Sequence, residues 1–352
     1  MGCSQPWLSP GSGYAQCWGC PLCKHADPFF QSCKQEAATL PLPTSRGAAG
    51  EGDGRDEPKR DSGESTTSGL DTDHYFRDKD LKAITRETYD SMGLEVRDVL
   101  ARSDLYERAG KDQHAFCIGI GRDYPYDVRV LTNIRPDSYW MDTMLHEFGH
   151  AVYDKYINPS LPYLLRSVAH TSSTEAIALM MGGLADDPGW ISRFADVAEE
   201  DLKRERESLL YSSRADKLVF VRWALVMYRF EKALYEDPDR IDLNSLWWNL
   251  VEEIQLLQRP SKRDEPDWAA KLHVALAPVY YHNYVLGHLT AAQLRRHIEK
   301  NVVEGPLYEH ELSGRYLQEV FFGPGAHDDW RMTVLRATGE RLNPAYFVDM
   351  LL

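Results

Sequence analysis

The chain has 352 residues, of which 43% are hydrophobic and 11% aromatic, enough for one large core or two modest domains. Its 54 acidic and 40 basic residues give a net charge of -14, which argues against nucleic acid or an anionic membrane as the main partner. No run of about 18 apolar residues occurs, and the N-terminus lacks the pattern of a signal peptide. We therefore expect no membrane insertion and a cytoplasmic location.

The N-terminal part differs in composition from the rest of the chain. Five of the six cysteines lie within the first 33 residues, so the body, which contains only Cys117, has no disulfide framework. The stretch that follows is almost devoid of large apolar groups and cannot bury enough surface to offset its chain entropy. We predict a Cys-rich tail and disordered linker over residues 1–73 and a folded domain over residues 74–352.

Within the folded part, apolar residues recur at helical spacing from Tyr75 onward. Residues 115–120 and 128–134 break this rule as two short apolar runs separated by a polar turn, which predicts a β-hairpin. Beyond residue 140 nearly all of the chain has a helical pattern. The predicted class is mainly α with one small sheet.

The strongest chemical signal is the run His146-Glu147-Phe148-Gly149-His150. Two histidines at i and i+4 lie on one helix face, so both imidazoles can reach a single ion, and the glutamate between them can touch water at that ion. The pattern therefore predicts a catalytic Zn²⁺ bound by His146 and His150. Glu147 would accept the proton of the attacking water and return it to the leaving amine.

A catalytic zinc takes three protein ligands, so a third ligand is needed downstream. Capping residues and an apolar run begin near Thr171, which puts Glu175 in the first turn of a helix that can return to the metal. Asp154 and His170 are the alternatives. Asp154 is better placed to orient an imidazole than to bind the ion, and His170 is equally compatible with substrate contact and with structural packing.

A second polar constellation follows at residues 271–284, where a lysine, a histidine and a group of tyrosines precede a helix. With this segment, four blocks match in order the angiotensin-converting-enzyme-like peptidyl-dipeptidases, a family of gluzincin zinc metallopeptidases. The blocks are residues 146–150, 175–177, 247–255 and 271–284. The chain thus resembles the C-terminal part of that family's catalytic domain, which implies a zincin-like helical fold with the hairpin beside the zinc helix.

The resemblance also implies roles for individual residues. Tyr284 would donate to the oxyanion, and His273 would hydrogen-bond the substrate backbone. Lys271 and Tyr281 would hold the substrate's C-terminal carboxylate, a clamp that limits cleavage to the release of a C-terminal dipeptide. The free edge of the hairpin would pair with an extended peptide.

The chain departs from the family in two places. The spacing between His273 and the tyrosines differs by one residue, so Tyr280 is an alternative to Tyr281. Asn283 stands where the family has an arginine that serves a chloride site, which argues against chloride activation. For Trp247 and Trp248 we expect core packing rather than a role in the site.

The sequence therefore predicts a zinc metallopeptidase that releases C-terminal dipeptides from oligopeptides, with one catalytic Zn²⁺. Two other interpretations stay open: a thimet-like oligoendopeptidase without the carboxylate clamp, and a truncated, catalytically impaired zinc-binding protein. The oligomeric state is left unassigned.

Overall fold

The computed structural model describes residues 71–352, so nearly all of the tail and linker predicted over residues 1–73 lies outside the described part. The described chain is mainly helical, as predicted. Its α-helices, in chain order, are α1 Leu81–Ser91, α2 Arg97–Arg102, α3 Ser138–Lys155, α4 Thr171–Gly182, α5 Pro188–Phe194, α6 Glu199–Glu236, α7 Leu243–Leu250, α8 Leu272–Leu276, α9 His282–His297, α10 Glu311–Tyr316, α11 Trp330–Thr338 and α12 Ala345–Leu351.

The predicted hairpin is present, with shorter strands than the apolar runs suggested. Strand β1, Phe116–Gly119, pairs antiparallel with β2, Val128–Leu131, so that Phe116 lies opposite Leu131. Alternate side chains of β2 are buried, because one face of the hairpin packs on the protein. Strand β1 contacts α3, which puts the sheet beside the motif helix as predicted.

Helix α3 carries the His-Glu-x-x-His motif and contacts α1, α4 and both strands of the hairpin. It begins after Asp137, whose side chain accepts a hydrogen bond from the Trp140 backbone N–H at 2.8 Å. Its apolar residues are buried, including Met144, Leu145 and Phe148. The helix is therefore held from several sides, and its histidines project from a fixed scaffold.

Helix α4 begins earlier than expected, because a histidine supplies its N-terminal cap. His170 has an extended backbone, and its Nδ1 accepts a hydrogen bond from the Ser172 backbone N–H at 3.2 Å. Glu175 consequently lies in the second turn of the helix, and the prediction of the first turn was wrong. Of the two roles considered for His170, the structure favours the structural one.

Small residues let three helices approach closely around the motif. A Cβ added at Gly149 of α3 would lie 2.8 Å from Cα of Ala178 in α4, closer than packed carbon atoms allow. A Cβ added at Gly287 of α9 would lie 3.0 Å from Cβ of Glu175. Helix α4 is thus in close contact with both the motif helix and α9.

Two apolar clusters support this arrangement. The larger one lies around α1, α3 and α4. The second lies on α6 and α7 and includes Trp223, Phe230 and Trp247, with Trp248 partly buried against it. The packing expected for Trp247 and Trp248 is therefore observed.

Across residues 71–352, none of the helices combines the length and the apolar character that crossing a membrane requires.

Candidate metal centre

Three predicted ligands converge between α3 and α4. Nε2 of His146 and Nε2 of His150 lie 3.7 and 3.8 Å from the same oxygen, Oε2 of Glu175. All three candidate ligand atoms lie within 4.8 Å of one another. The three side chains could hold one metal ion, because tetrahedral zinc with bonds of about 2.1 Å needs ligand separations of about 3.4 Å.

The burial of Glu175, together with the lack of a hydrogen-bond partner for one of its oxygens, indicates that these residues fit a cation. Its side chain is only 2% exposed, and Oε2 has no hydrogen-bond partner among the described residues. A buried, unpartnered carboxylate oxygen is costly. A divalent ion held by the two imidazoles and this oxygen would satisfy it, and nitrogen with carboxylate oxygen is a donor set that zinc accepts.

The second nitrogen of His150 is held by a neighbour that the sequence analysis did not select. Nδ1 of His150 shares a 2.7 Å hydrogen bond with Oγ1 of Thr174. This bond fixes the ring so that Nε2 faces Glu175. The sequence predicts that Asp154 orients an imidazole, but at His150 this position is taken by Thr174, one residue before Glu175 on α4.

The candidate ligands line a cavity of about 310 Å³. The cavity is enclosed by the hairpin, by α3, by α4 with the loop before it, and by the start of α9 with the segment before it. The lining residues are Ala115, Phe116, Cys117, His146, Glu147, His150, Asp154, Val168, Thr174, Glu175, Tyr280 and Tyr284. Among these described residues there are three carboxylates but neither lysine nor arginine. The imbalance of charge again favours a cation in the cavity.

Burial shifts the pKa values of the candidate ligands. It lowers the pKa of His146 to about 4 and that of His150 well below its ordinary value, where the neighbouring His146 adds to the effect. Both imidazoles are therefore neutral near pH 7, the form that binds metals. Burial raises the pKa of Glu175 to about 7, although the hydrogen bond from Tyr280 opposes the shift.

Glu147 lies next to the ligands and is 8% exposed. Burial, reinforced by the carboxylates of Glu175 and Asp142, raises its pKa to about 8. The backbone N–H of Cys117 donates to its carboxylate and opposes that shift. A bound cation would lower this pKa by direct attraction, so Glu147 would be ionised and able to accept a proton at neutral pH.

Two of the candidate tyrosines reach the cavity. The Tyr280 hydroxyl donates to Oε1 of Glu175 at 2.5 Å, and the Tyr284 hydroxyl lies 3.2 Å from Nε2 of His273. Burial, together with the negative charge of Glu175, raises the pKa of both phenols far above their ordinary range. Both hydroxyls therefore keep their protons and can act as hydrogen-bond donors.

Lys271 and Tyr281 lie together, but outside the residues that line this cavity. The Tyr281 hydroxyl accepts a 3.1 Å hydrogen bond from Nε1 of Trp223, and Nζ of Lys271 lies 5.1 Å from the centre of the same tryptophan ring. The structure thus brings both members of the predicted carboxylate clamp to one indole. Of the two neighbouring tyrosines, Tyr280 is the one that reaches the metal ligands.

Comparison with known proteins identifies the family. The family described as "Angiotensin-converting enzyme" has a sequence profile that matches residues 65–346. The chain belongs to the angiotensin-converting enzyme family. The resemblance given by the four sequence blocks is therefore confirmed over most of the chain.

Individual relatives of the chain are distant in sequence. Angiotensin-converting enzyme of Haematobia irritans exigua is 25% identical over 290 residues, which cover 76% of this chain and 44% of the relative. Carboxypeptidase 1 of Bacillus subtilis (strain 168) is 25% identical over 312 residues, which cover 81% of this chain and 60% of the relative. Angiotensin-converting enzyme-related protein of Drosophila melanogaster is 22% identical over 311 residues, which cover 79% of this chain and 44% of the relative. The chain spans about half the length of these curated relatives.

A solved structure titled "BsuCP Crystal Structure" has the same fold. It superposes with a TM-score of 0.59 at 22% sequence identity, covering 81% of this chain and 61% of the solved one. The mainly helical fold of this member of the angiotensin-converting enzyme family is thus supported independently of its sequence motifs.

Proposed function

We propose that this chain is a zinc-dependent metallopeptidase that releases C-terminal dipeptides from oligopeptides. The observation that carries the proposal is the convergence of His146, His150 and the unpartnered Oε2 of Glu175 beside Glu147. Family membership supports a peptidase, and the candidate ligands open onto a cavity of about 310 Å³. Oligopeptides are the substrate class and cytoplasm the compartment in this proposal.

His146, His150 and Glu175 would hold the zinc ion. When bound, zinc polarises a carbonyl group and increases the acidity of water. Thr174 keeps His150 in the orientation that points Nε2 at Glu175, and Tyr280 keeps Glu175 directed at the histidines. These two outer hydrogen bonds support a preorganised site.

Glu147 acts as the general base in this proposal. The backbone N–H of Cys117 holds its carboxylate, which fixes the direction in which the carboxylate accepts a proton. It takes a proton from the attacking water and then donates that proton to the amine that leaves. Because Glu147 is nearly buried, the proton is passed within the cavity instead of being lost to solvent.

Tyr284 and His273 stabilise the reacting amide. Tyr284 lines the cavity and keeps its proton, so it can donate to the oxygen that becomes negatively charged during the reaction. His273, 3.2 Å from the Tyr284 hydroxyl, orients that donor and can hydrogen-bond the substrate backbone. Tyr280 is already engaged by Glu175, which favours Tyr284 for the oxyanion role.

Lys271 and Tyr281 form the carboxylate clamp in this proposal. Their common neighbour Trp223 keeps the ammonium and phenol groups on one surface, so that one carboxylate can meet both. A clamp of this kind requires a free C-terminus and makes the enzyme release a short C-terminal fragment. An enzyme without the clamp would act as an endopeptidase.

Mass spectrometry of products from a mixed peptide library, with zinc measured on the same sample, tests the proposal. We expect dipeptides cut from free C-termini by the zinc-loaded protein and a far lower yield of the same products with Glu147→Gln. Internal cleavage that ignores C-terminal amidation would indicate an endopeptidase. Stoichiometric zinc without any cleavage would contradict the proposed activity and indicate a silent zinc-binding protein.

A further inference from the structure

Glu231 is a buried carboxylate on α6 that the proposed chemistry does not use. Glu231 is only 4% exposed to solvent. Oε1 accepts a 2.8 Å hydrogen bond from the backbone N–H of Val279 and a 3.3 Å hydrogen bond from the Tyr235 hydroxyl. A buried carboxylate is expensive, so its partners indicate what it stabilises.

Val279, the first of these partners, has an unfavourable backbone conformation. Its φ is +58°, in the left-handed region that β-branched residues rarely adopt. Its side chain is 41% exposed, so burial of the valine does not offset the strain. The hydrogen bond from the Val279 N–H to the Glu231 carboxylate stabilises this conformation.

The strained residue directly precedes the tyrosines of the metal centre. Tyr280, the next residue, donates from its hydroxyl to Oε1 of Glu175 at 2.5 Å. The backbone oxygen of Tyr280 also accepts from the N–H of Asn283, which starts α9. If Val279 relaxed to a negative φ, the chain direction would change there and Tyr280 would leave Glu175.

We propose that Glu231 is a positioning residue that holds Val279 in its left-handed turn and thereby directs Tyr280 onto the metal ligand Glu175. The inference rests on the proposed function and deepens it, since it assigns how the proposed zinc ligand Glu175 is oriented by a residue of α6. The two hydrogen bonds of Glu231 go to Val279 and Tyr235, which are neither candidate ligands nor proposed substrate-binding residues. Its effect reaches the metal centre through one backbone turn and one phenol.

Zinc affinity of the full chain, measured by competition with a chromophoric chelator, tests this relation. Tyr280→Phe should weaken zinc binding by about 10- to 100-fold, the range for partners of metal ligands, and Glu231→Ala should give a similar loss. The double variant should bind no worse than the weaker single one, because both changes remove the same bond. Unchanged affinity in Glu231→Ala, or losses that multiply, would overturn the proposal.

Matched variants separate positioning from a general structural effect. Glu231→Gln keeps an oxygen that can accept the Val279 N–H and should bind zinc within about threefold of the native chain. Tyr235→Phe removes the other partner of Glu231 and should leave zinc affinity unchanged. Loss of affinity in both would mean that Glu231 acts through the packing of α6, and would overturn the turn-based account.

Glycine at position 279 provides a second test, because a general folding defect of Glu231→Ala would persist beside Val279→Gly, whereas a loss caused by strain at Val279 would disappear. Glycine adopts a positive φ without steric cost, so Val279→Gly should make zinc affinity insensitive to Glu231→Ala. An equal loss in the Val279→Gly background would contradict the role of strain. Peptide cleavage is followed in parallel: a native chain that binds zinc but cleaves nothing refutes the proposed function, whereas the zinc measurements still test Glu231.

Discussion

Oγ1 of Thr174 lies 2.7 Å from Nδ1 of His150, while Nε2 of the same ring faces Glu175 at 3.8 Å. Thr174 and Glu175 are consecutive in α4, so one helix provides both a candidate ligand and the group that orients another. The two sides of the metal centre are therefore coupled by the packing of α3 on α4.

Removing the Thr174 hydroxyl tests this coupling. Thr174→Val keeps the shape of the side chain but leaves Nδ1 of His150 without its partner. We expect zinc affinity to fall by about 10- to 100-fold. Ser173→Ala is the matched control, because the buried Ser173 hydroxyl has no partner among the described residues. Equal affinities of the two variants would contradict an orienting role for Thr174.

Glu147→Gln should separate metal binding from catalysis. The amide keeps the size of the side chain but cannot accept a proton, so the rate of peptide hydrolysis should fall by about 10²- to 10⁴-fold. Zinc content should remain that of the native chain, since Glu147 is not one of the three candidate ligands. A variant that hydrolyses peptides at the native rate would refute Glu147 as the base.

The sequence predicted the parts of this site that depend on local spacing. Two histidines one helical turn apart and two short apolar runs are visible in the chain, and they correspond to one face of α3 and to a hairpin with shorter strands. Glu175 lies beside the two histidines as predicted, but in the second turn of α4 instead of the first. These features need only helix and strand geometry. The approach of Glu175 to the two histidines depends in addition on the packing of α3 against α4, which the spacing does not specify.

The features that the sequence did not reveal depend on distant contacts. Thr171, Ser172 and Ser173 are all good capping residues, so nothing in the sequence favoured His170 as the cap. The sequence also contains no sign that Val279 has a positive φ, a conformation in which its N–H donates to Glu231 of α6. The next residue, Tyr280, is the tyrosine that hydrogen-bonds Glu175. Such conformations follow from tertiary packing and have no local signature.

Close packing of the motif helix makes Gly149 sensitive to substitution. The added methyl group of Gly149→Ala would lie 2.8 Å from Cα of Ala178 and push α3 from α4. We expect a loss of about 1–3 kcal/mol in the free energy of unfolding, measured by urea denaturation, with weaker zinc binding. Gly183→Ala is the control, because its Cβ would meet nothing within 4 Å and its φ is negative. Equal free energies of unfolding for the two variants would contradict the close contact between α3 and α4 at Gly149.

Lys271→Met tests the carboxylate clamp. Loss of a charge-assisted hydrogen bond worth about 1.5–3 kcal/mol should raise KM for peptides with a free C-terminus by roughly 10- to 100-fold. Peptides with an amidated C-terminus should be cleaved poorly by the native chain and no worse by the variant. Equal cleavage of free and amidated peptides by the native chain would rule out the clamp.

Anomalous diffraction at the zinc absorption edge, from crystals grown with zinc, tests the central claim most directly. The structure predicts one strong peak bounded by Nε2 of His146, Nε2 of His150 and Oε2 of Glu175, absent when Glu175 is replaced by glutamine. A zinc-saturated crystal with no peak between these atoms, or with a peak that persists in Glu175→Gln, would contradict the assignment of the metal centre.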